Sequence, residues 1–88
     1  MKNKLLVLSA KWCRPCCQLK AALKEFNATH EPKIDYDVVD IEEQTEFVKA
    51  YDIQSVPILI FRYENDGPDY FVHVGTATIQ QILDKLKQ

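Results

Sequence analysis

Residues 5–16, with the sequence LLVLSAKWCRPC, decide the fold of this chain. The apolar run from Leu5 to Leu8 is typical of a β-strand that is covered on both faces. Helical spacing of apolar residues begins at Cys13, so the strand leads directly into a helix. Cys13 is therefore expected at the helix N terminus, where the dipole stabilises a thiolate. Cys16 lies one turn further on, close enough to form a disulfide, and the pair predicts a dithiol that cycles between reduced and oxidised forms.

Length and composition limit the class of protein. The 88 residues predict a single domain, residues 1–88, and the 47% apolar and 27% charged residues indicate an ordinary globular fold. A net charge of −2 gives no general attraction to nucleic acid or to an anionic membrane. All three cysteines lie within residues 13–17, whereas a secreted disulfide scaffold spreads an even number along the chain. The expectation is a reactive site in a reducing compartment, the cytoplasm.

The N-terminal apolar stretch has an alternative interpretation, since residues 1–10 resemble a short signal peptide. Its apolar part, residues 5–10, is shorter than the usual hydrophobic region of about 7–15 residues. No stretch approaches the ~20 apolar residues of a transmembrane helix. We therefore expect no membrane association.

The remaining elements follow from periodicity and from turn signals. The predicted strands after the first are residues 34–41, 57–61 and 70–74, and the last two form a hairpin that ends at Gly75. Three helices are predicted. The first runs from Cys13 to about residues 27–30, the second begins at an Asp40–Glu43 capping box and ends near Tyr51, and the third follows a Thr78–Gln81 capping box. The order is β-α-β-α-β-β-α, which predicts an α/β fold with a four-stranded mixed sheet.

With these elements in place, the chain resembles the thioredoxin superfamily. The matching features are the WCRPC motif at residues 12–16, Asp40 at the end of the second strand, the tripeptide at residues 55–57, and Gly75 before the last helix. The resemblance covers nearly the whole chain, starting at the strand before the motif. It implies a minimal thioredoxin fold without the extra N-terminal strand and helix of full thioredoxins. The length is glutaredoxin-like, whereas Trp12 and Pro15 are thioredoxin-like.

The resemblance also implies which residues surround the dithiol. It implies a cis Val56–Pro57 bond beside the cysteines, with the backbone of Val56 available to pair with an extended substrate segment. Apart from these two residues, the expected substrate-binding residues are Trp12, Arg14, Pro15 and Gly75.

The chain departs from the thioredoxin pattern at several positions. Val7 stands where a full thioredoxin has a buried aspartate that helps to deprotonate the second cysteine, and Tyr36 stands where it has the lysine partner of that aspartate. Arg14 replaces a glycine, and Ala21 replaces the proline that kinks the helix. Proton transfer at Cys16 must therefore take another route, while the nucleophile is unaffected.

The proposed chemistry needs only the two thiols and no cofactor. Cys13 is expected to attack a substrate disulfide and Cys16 to resolve the mixed disulfide. The helix N terminus, with Lys11 and Arg14 nearby, is expected to lower the pKa of the Cys13 thiol. A zinc site is the alternative, but it needs four ligands, and Cys17, His30 and His73 are not at ligand spacing. Cys17 is expected to face solvent as a spectator, or to form adducts.

Three functions compete at this stage. The leading hypothesis is a monomeric, thioredoxin-like protein-disulfide reductase that an NADPH-dependent flavoprotein reductase recharges. The second is a glutaredoxin-like enzyme recharged by glutathione, although Gly75-Thr76 lacks the paired glycines and the following acid of that family, and Lys11 is the one candidate for a glutathione carboxylate. The third is a binding module that uses the surface around Trp12 and Pro57, in which the thiols would be dispensable.

Overall fold

The computed structural model describes residues 3–46, 49, 55–64 and 67–87. Its elements are β1 (Lys4–Ser9), α1 (Arg14–Thr29), β2 (Tyr36–Asp40), β3 (Ile58–Arg62), β4 (Asp69–Val74) and α2 (Ile79–Leu86). The sheet has four strands in the order β2-β1-β3-β4. Strands β1 and β2 are parallel, and the β1–β3 and β3–β4 pairs are antiparallel. The predicted four-stranded mixed sheet is confirmed.

Strand β2 begins after the predicted residue 34 because a side chain of α1 binds the backbone of Ile34. The backbone N–H of Ile34 donates to the Asn27 side-chain oxygen at 2.8 Å, and the Asn27 amide donates to the Ile34 carbonyl at 2.9 Å. Both backbone groups of Ile34 are therefore satisfied by a side chain of α1 rather than by the sheet. The strand begins at Tyr36, and the side chain of Ile34 still enters the core.

The described residues contain two complete helices. The second helix of the prediction includes residues 47, 48, 50 and 51, which lie outside the described residues, so it stays a prediction; Thr45, Glu46 and Lys49 have helical backbone. Its predicted capping box is wrong. The Asp40 carboxylate accepts from the Glu42 N–H at 2.8 Å, and the Asp40 carbonyl accepts from Glu43 and Gln44. Asp40 thus closes a turn between β2 and the following segment.

The core occupies both faces of the sheet, because neighbouring residues of the central strands point in opposite directions. On one face, Leu5 and Val7 of β1 pack with residues of α1, β3 and α2: Leu19, Leu23, Leu59, Phe61 and Ile82. On the other face, Leu6 and Leu8 pack with Val39, Ile58 and Ile60. The helical spacing of apolar residues that begins at Cys13 is confirmed, since Cys16, Leu19 and Leu23 of α1 are buried. Val38, on the edge strand β2, is 41% exposed despite the alternating pattern around it.

Helix α2 begins as predicted. The Thr78 hydroxyl accepts from the Gln81 N–H at 3.2 Å, and the Gln81 side chain accepts from the Thr78 N–H at 2.9 Å. Within the described residues, no helix combines the length and the hydropathy needed to cross a bilayer.

Candidate active site

Cys13 and Cys16 form a disulfide at the N terminus of α1. Cys13 is the N-cap residue with extended backbone, and Cys16 lies in the first turn, so their Cα atoms are 5.2 Å apart. The Cys16 N–H donates to the Cys13 sulfur at 3.3 Å. This is one of the N–H groups that a helix start leaves without a partner in the helix. The sulfur of Cys13 therefore sits where a negative charge would be stabilised.

The two sulfur-bearing residues differ in access to solvent. Cys16 is completely buried, and Cys13 is 5% exposed. The low exposure of Cys13 results from Ala10, Ile41 and Val56, which pack around the pair. Cys13 is nevertheless the more accessible of the two, in agreement with its predicted role as the first nucleophile.

The tripeptide at residues 55–57 forms one wall of the site. Val56 packs against the buried cysteine pair, and the Val56–Pro57 bond is cis, as the resemblance implied. The Glu31–Pro32 bond, which the sequence analysis did not single out, is also cis. The Pro57 carbonyl accepts from the Gly75 N–H at 2.9 Å, which ties Gly75 to this wall. Gly75 has a φ of 100°, in the left-handed region that favours glycine.

The rim of the site carries an exposed aromatic residue and two cations. Trp12 is 70% exposed, as a substrate-contacting residue would be. Arg14 and Pro15 are the first two residues of α1, and both are exposed. Lys11 is 80% exposed and lies 3.9 Å from a Glu43 carboxylate oxygen. At that distance and exposure the ion pair contributes little, and the Lys11 ammonium stays solvated.

The remaining candidates are not part of the Cys13–Cys16 disulfide. Cys17 is a free, exposed thiol, as predicted. His30 stacks on the Phe26 ring at the end of α1, and the His73 ring contacts the Thr76 carbonyl at 3.0 Å. Within the described residues, no three metal-ligating side chains are grouped in a way that could hold a metal ion.

The structure adds two residues that the sequence analysis did not assign to the site. Ala10 and Ile41 pack against the cysteines. A signal for Ile41 was present in the sequence. In a parallel β1–β2 pair the two strands end at the same edge of the sheet, so the residue after Asp40 lies beside the residues that follow Ser9.

Fold and site together define a class: a thioredoxin-like α/β domain with a cysteine pair at a helix N terminus and a cis-proline wall beside it. A family model described as thioredoxin matches residues 1–88. The chain belongs to the thioredoxin family.

Individual relatives agree with that assignment. The chain is 30% identical to thioredoxin H5 of Oryza sativa subsp. japonica over 99% of its own length and 64% of that protein. It is also 30% identical to thioredoxin of Staphylococcus aureus, over 86% of its own length and 74% of that protein. It thus spans less than two thirds of the length of the rice relative.

Solved structures show the same fold. The reduced thioredoxin pre-protein of Schistosoma mansoni superposes with a TM-score of 0.74 at 27% identity, over 98% of this chain and 77% of that one. Chloroplastic thioredoxin z superposes with a TM-score of 0.80 at 21% identity, over 98% of this chain and 76% of that one.

Proposed function

We propose that this protein is a thiol-disulfide oxidoreductase that reduces protein disulfides through Cys13 and Cys16. The observation that carries the proposal is the disulfide itself, which joins the N-cap of α1 to its first turn beside Val56. A purely structural disulfide has no need of a helix N terminus. A redox dithiol does, because the same N–H groups stabilise the thiolate that performs the reaction.

The reaction proceeds in two exchange steps. The Cys13 thiolate attacks one sulfur of a substrate disulfide, forms a mixed disulfide and releases the other substrate sulfur as a thiolate. Cys16 then loses its proton and attacks the Cys13 sulfur, which releases the second substrate thiolate and leaves the Cys13–Cys16 disulfide. Two electrons have passed to the substrate. The oxidised pair is the state seen in the structure.

Burial supports this order of the steps. The sulfur-bearing residue Cys16 has no exposed surface for a macromolecular disulfide to reach, whereas Cys13 is 5% exposed and follows the exposed Trp12. Val56 packs against the cysteine pair, and the family resemblance implies that its backbone pairs with an extended substrate segment. Cys16 then needs to reach only its neighbour, which the 5.2 Å separation of the two Cα atoms allows.

Recycling of the oxidised protein requires an external two-electron donor. We propose an NADPH-dependent flavoprotein of the thioredoxin reductase type, a monomeric working state and a cytoplasmic location. Glutathione is the competing donor. Lys11, which the sequence analysis offers as a ligand for a glutathione carboxylate, lies 3.9 Å from Glu43.

The test measures reduction of insulin disulfides with each reductant system supplied separately. We expect turnover with NADPH and thioredoxin reductase, and little with glutathione, NADPH and glutathione reductase. Cys13→Ser should abolish turnover, and Cys16→Ser should arrest it at the mixed disulfide. Cys17→Ser is the matched control, since Cys17 is free and exposed, and it should retain full activity. Activity of the Cys13→Ser variant would refute the proposal.

A further inference from the structure

We propose that Arg14 makes this site selective for substrates that carry a carboxylate beside the disulfide to be reduced. The inference rests on the proposed function and names a substrate class for the same site. It starts from the position of Arg14 between the two cysteines, as the first residue of α1.

Arg14 occupies a place that helix energetics disfavours. The first turn of a helix favours negative side chains, because the dipole is positive there. The first turn of α1 contains no acidic residue and begins with a cation. Helix stability therefore does not explain why an arginine stands at position 14. Residues that go against a local preference in this way are found at functional sites.

The Arg14 side chain is exposed and forms no ion pair within the part of the chain that the structure describes. Residues three and four positions along a helix are neighbours on its surface, and here they are the neutral Cys17 and Gln18. The nearest cation in sequence, Lys11, precedes the helix and lies 3.9 Å from Glu43. The Arg14 guanidinium thus remains available to a partner.

The surroundings of the disulfide identify what that partner must supply. The residues beside Cys13 include the exposed Trp12, directly before it in the chain, and Val56, which packs against the cysteine pair. The segment from Gly75 to Thr78 carries no charge. Among the described acidic residues that follow β2, Glu43 lies 3.9 Å from Lys11. A substrate that docks at Cys13 meets the Arg14 guanidinium at the start of α1, and a carboxylate matches its charge. A guanidinium can bind a carboxylate through two parallel hydrogen bonds.

The experiment uses three disulfide peptides that are identical except for the residue beside one cysteine, which is Glu, Gln or Lys. Reduction rates are measured with the whole protein at low and high salt. We expect the wild type to reduce the Glu peptide about two- to five-fold faster than the Gln peptide, the range for a solvent-exposed ion pair. The Lys peptide should be slowest. The differences should shrink at high salt, because exposed charges are screened.

Two variants of Arg14 and a matched control distinguish an effect of the charge at Arg14 from an effect of the net charge of the protein. Arg14→Gln should remove the preference, and Arg14→Glu should invert it. Lys24→Gln removes the same charge from an exposed position of α1 that is about 15 Å further along the helix, beyond the Debye length of about 8 Å at physiological salt. It should leave the preference unchanged.

Thermal melts provide an independent readout. Arg14→Glu should melt at or above the wild-type temperature, because it restores the charge that a helix N terminus favours. Equal rates for all three peptides with wild-type protein, or an equal effect of Lys24→Gln, would overturn the inference and leave the proposed function standing. If no peptide is reduced at all, the proposed function fails and the inference fails with it.

Discussion

Val7 is the residue at which this chain departs furthest from the pattern that its motif implies. It is fully buried in the core cluster beneath α1, in contact with apolar residues of three other elements. A carboxylate at this position would lie in an apolar environment without a described cation beside it. Val7 contributes core packing here, and in the proposed reaction the proton of Cys16 would pass to water or to the departing Cys13 sulfur.

Val7→Asp is therefore expected to have two opposed effects. Stability should fall by several kcal/mol if the carboxylate stays ionised and unpaired. Burial should also raise the pKa of the new carboxyl group, so that it can act as a general base for Cys16 near neutral pH. We predict faster resolution of a Cys13 mixed disulfide at pH 7, measured by stopped flow, in a protein that unfolds at lower denaturant concentration.

Val7→Thr is the control, since it keeps the shape of valine but adds a hydroxyl group that cannot act as a base at this pH. The substitution should lower the free energy of unfolding by about 1–3 kcal/mol if the hydroxyl group forms no hydrogen bond. It should leave the rate at which the Cys13 mixed disulfide is resolved unchanged. An unchanged rate in Val7→Asp would show that loss of the Cys16 proton does not limit the reaction.

At the scale of elements, helix α2 shows how a short helix is held in place. It has only eight residues, which is too few for stability in isolation. Its N terminus is closed by the reciprocal hydrogen bonds of Thr78 and Gln81, and Ile82 enters the core. Gly75 and the loop after it lead into this capping box. The cap therefore also helps to position Gly75, which is bonded to the active-site wall.

Thr78→Ala should destabilise the protein by about 1 kcal/mol, the typical cost of a lost N-cap side chain. Chemical denaturation should show a lower midpoint with an unchanged slope. Thr76→Ala is the matched control, because Thr76 is exposed in the same loop and lies outside the capping box. A loss of stability in Thr76→Ala equal to that in Thr78→Ala would contradict the assignment of the cap.

At the scale of the whole molecule, one polar network joins the start of the chain to its end. The Tyr70 hydroxyl donates to the Lys85 carbonyl at 2.7 Å, and the Asn3 amide donates to the Leu86 carbonyl at 3.0 Å. These bonds satisfy carbonyls that the end of α2 leaves open. Lys4, the next residue along, lies 3.0 Å from Asp37 and 3.3 Å from Asp35.

Ionisation of Tyr70 and of Lys4 makes the stability of the folded protein depend on pH in the alkaline range. Burial raises the pKa of Tyr70, and the hydrogen bond with Asp37 raises the pKa of Lys4. A folded-state pKa above the unfolded value stabilises the protein below the unfolded pKa, and this stability is lost as pH rises. The free energy of unfolding should therefore decrease above about pH 10.

Tyr70→Phe tests this dependence. At neutral pH the substitution should lower the free energy of unfolding by about 1 kcal/mol, because a hydrogen bond is lost. Between pH 9 and 11 the variant should lose less stability than the wild type. Denaturation midpoints across that range give the slopes. Equal slopes in the two proteins would show that ionisation of Tyr70 does not contribute.

The sequence by itself determined the features that depend on neighbouring residues. The strand-to-helix junction places Cys13 at a helix N terminus because the periodicity changes there, and the Thr78 cap follows from the spacing of two polar residues. The exposed position of Cys17 follows in the same way from helical geometry. The cis bond at Pro57 came from the resemblance, not from any local pattern.

Tertiary structure decided which distant residues meet at the disulfide. Val56 and Gly75 flank the site because β3 pairs antiparallel with β4, and Ile41 reaches it because β2 runs parallel to β1. The late start of β2 also depends on a side chain of α1, Asn27, that satisfies the Ile34 backbone. Strand pairing and burial depend on contacts between residues far apart in the chain, which a local pattern does not encode.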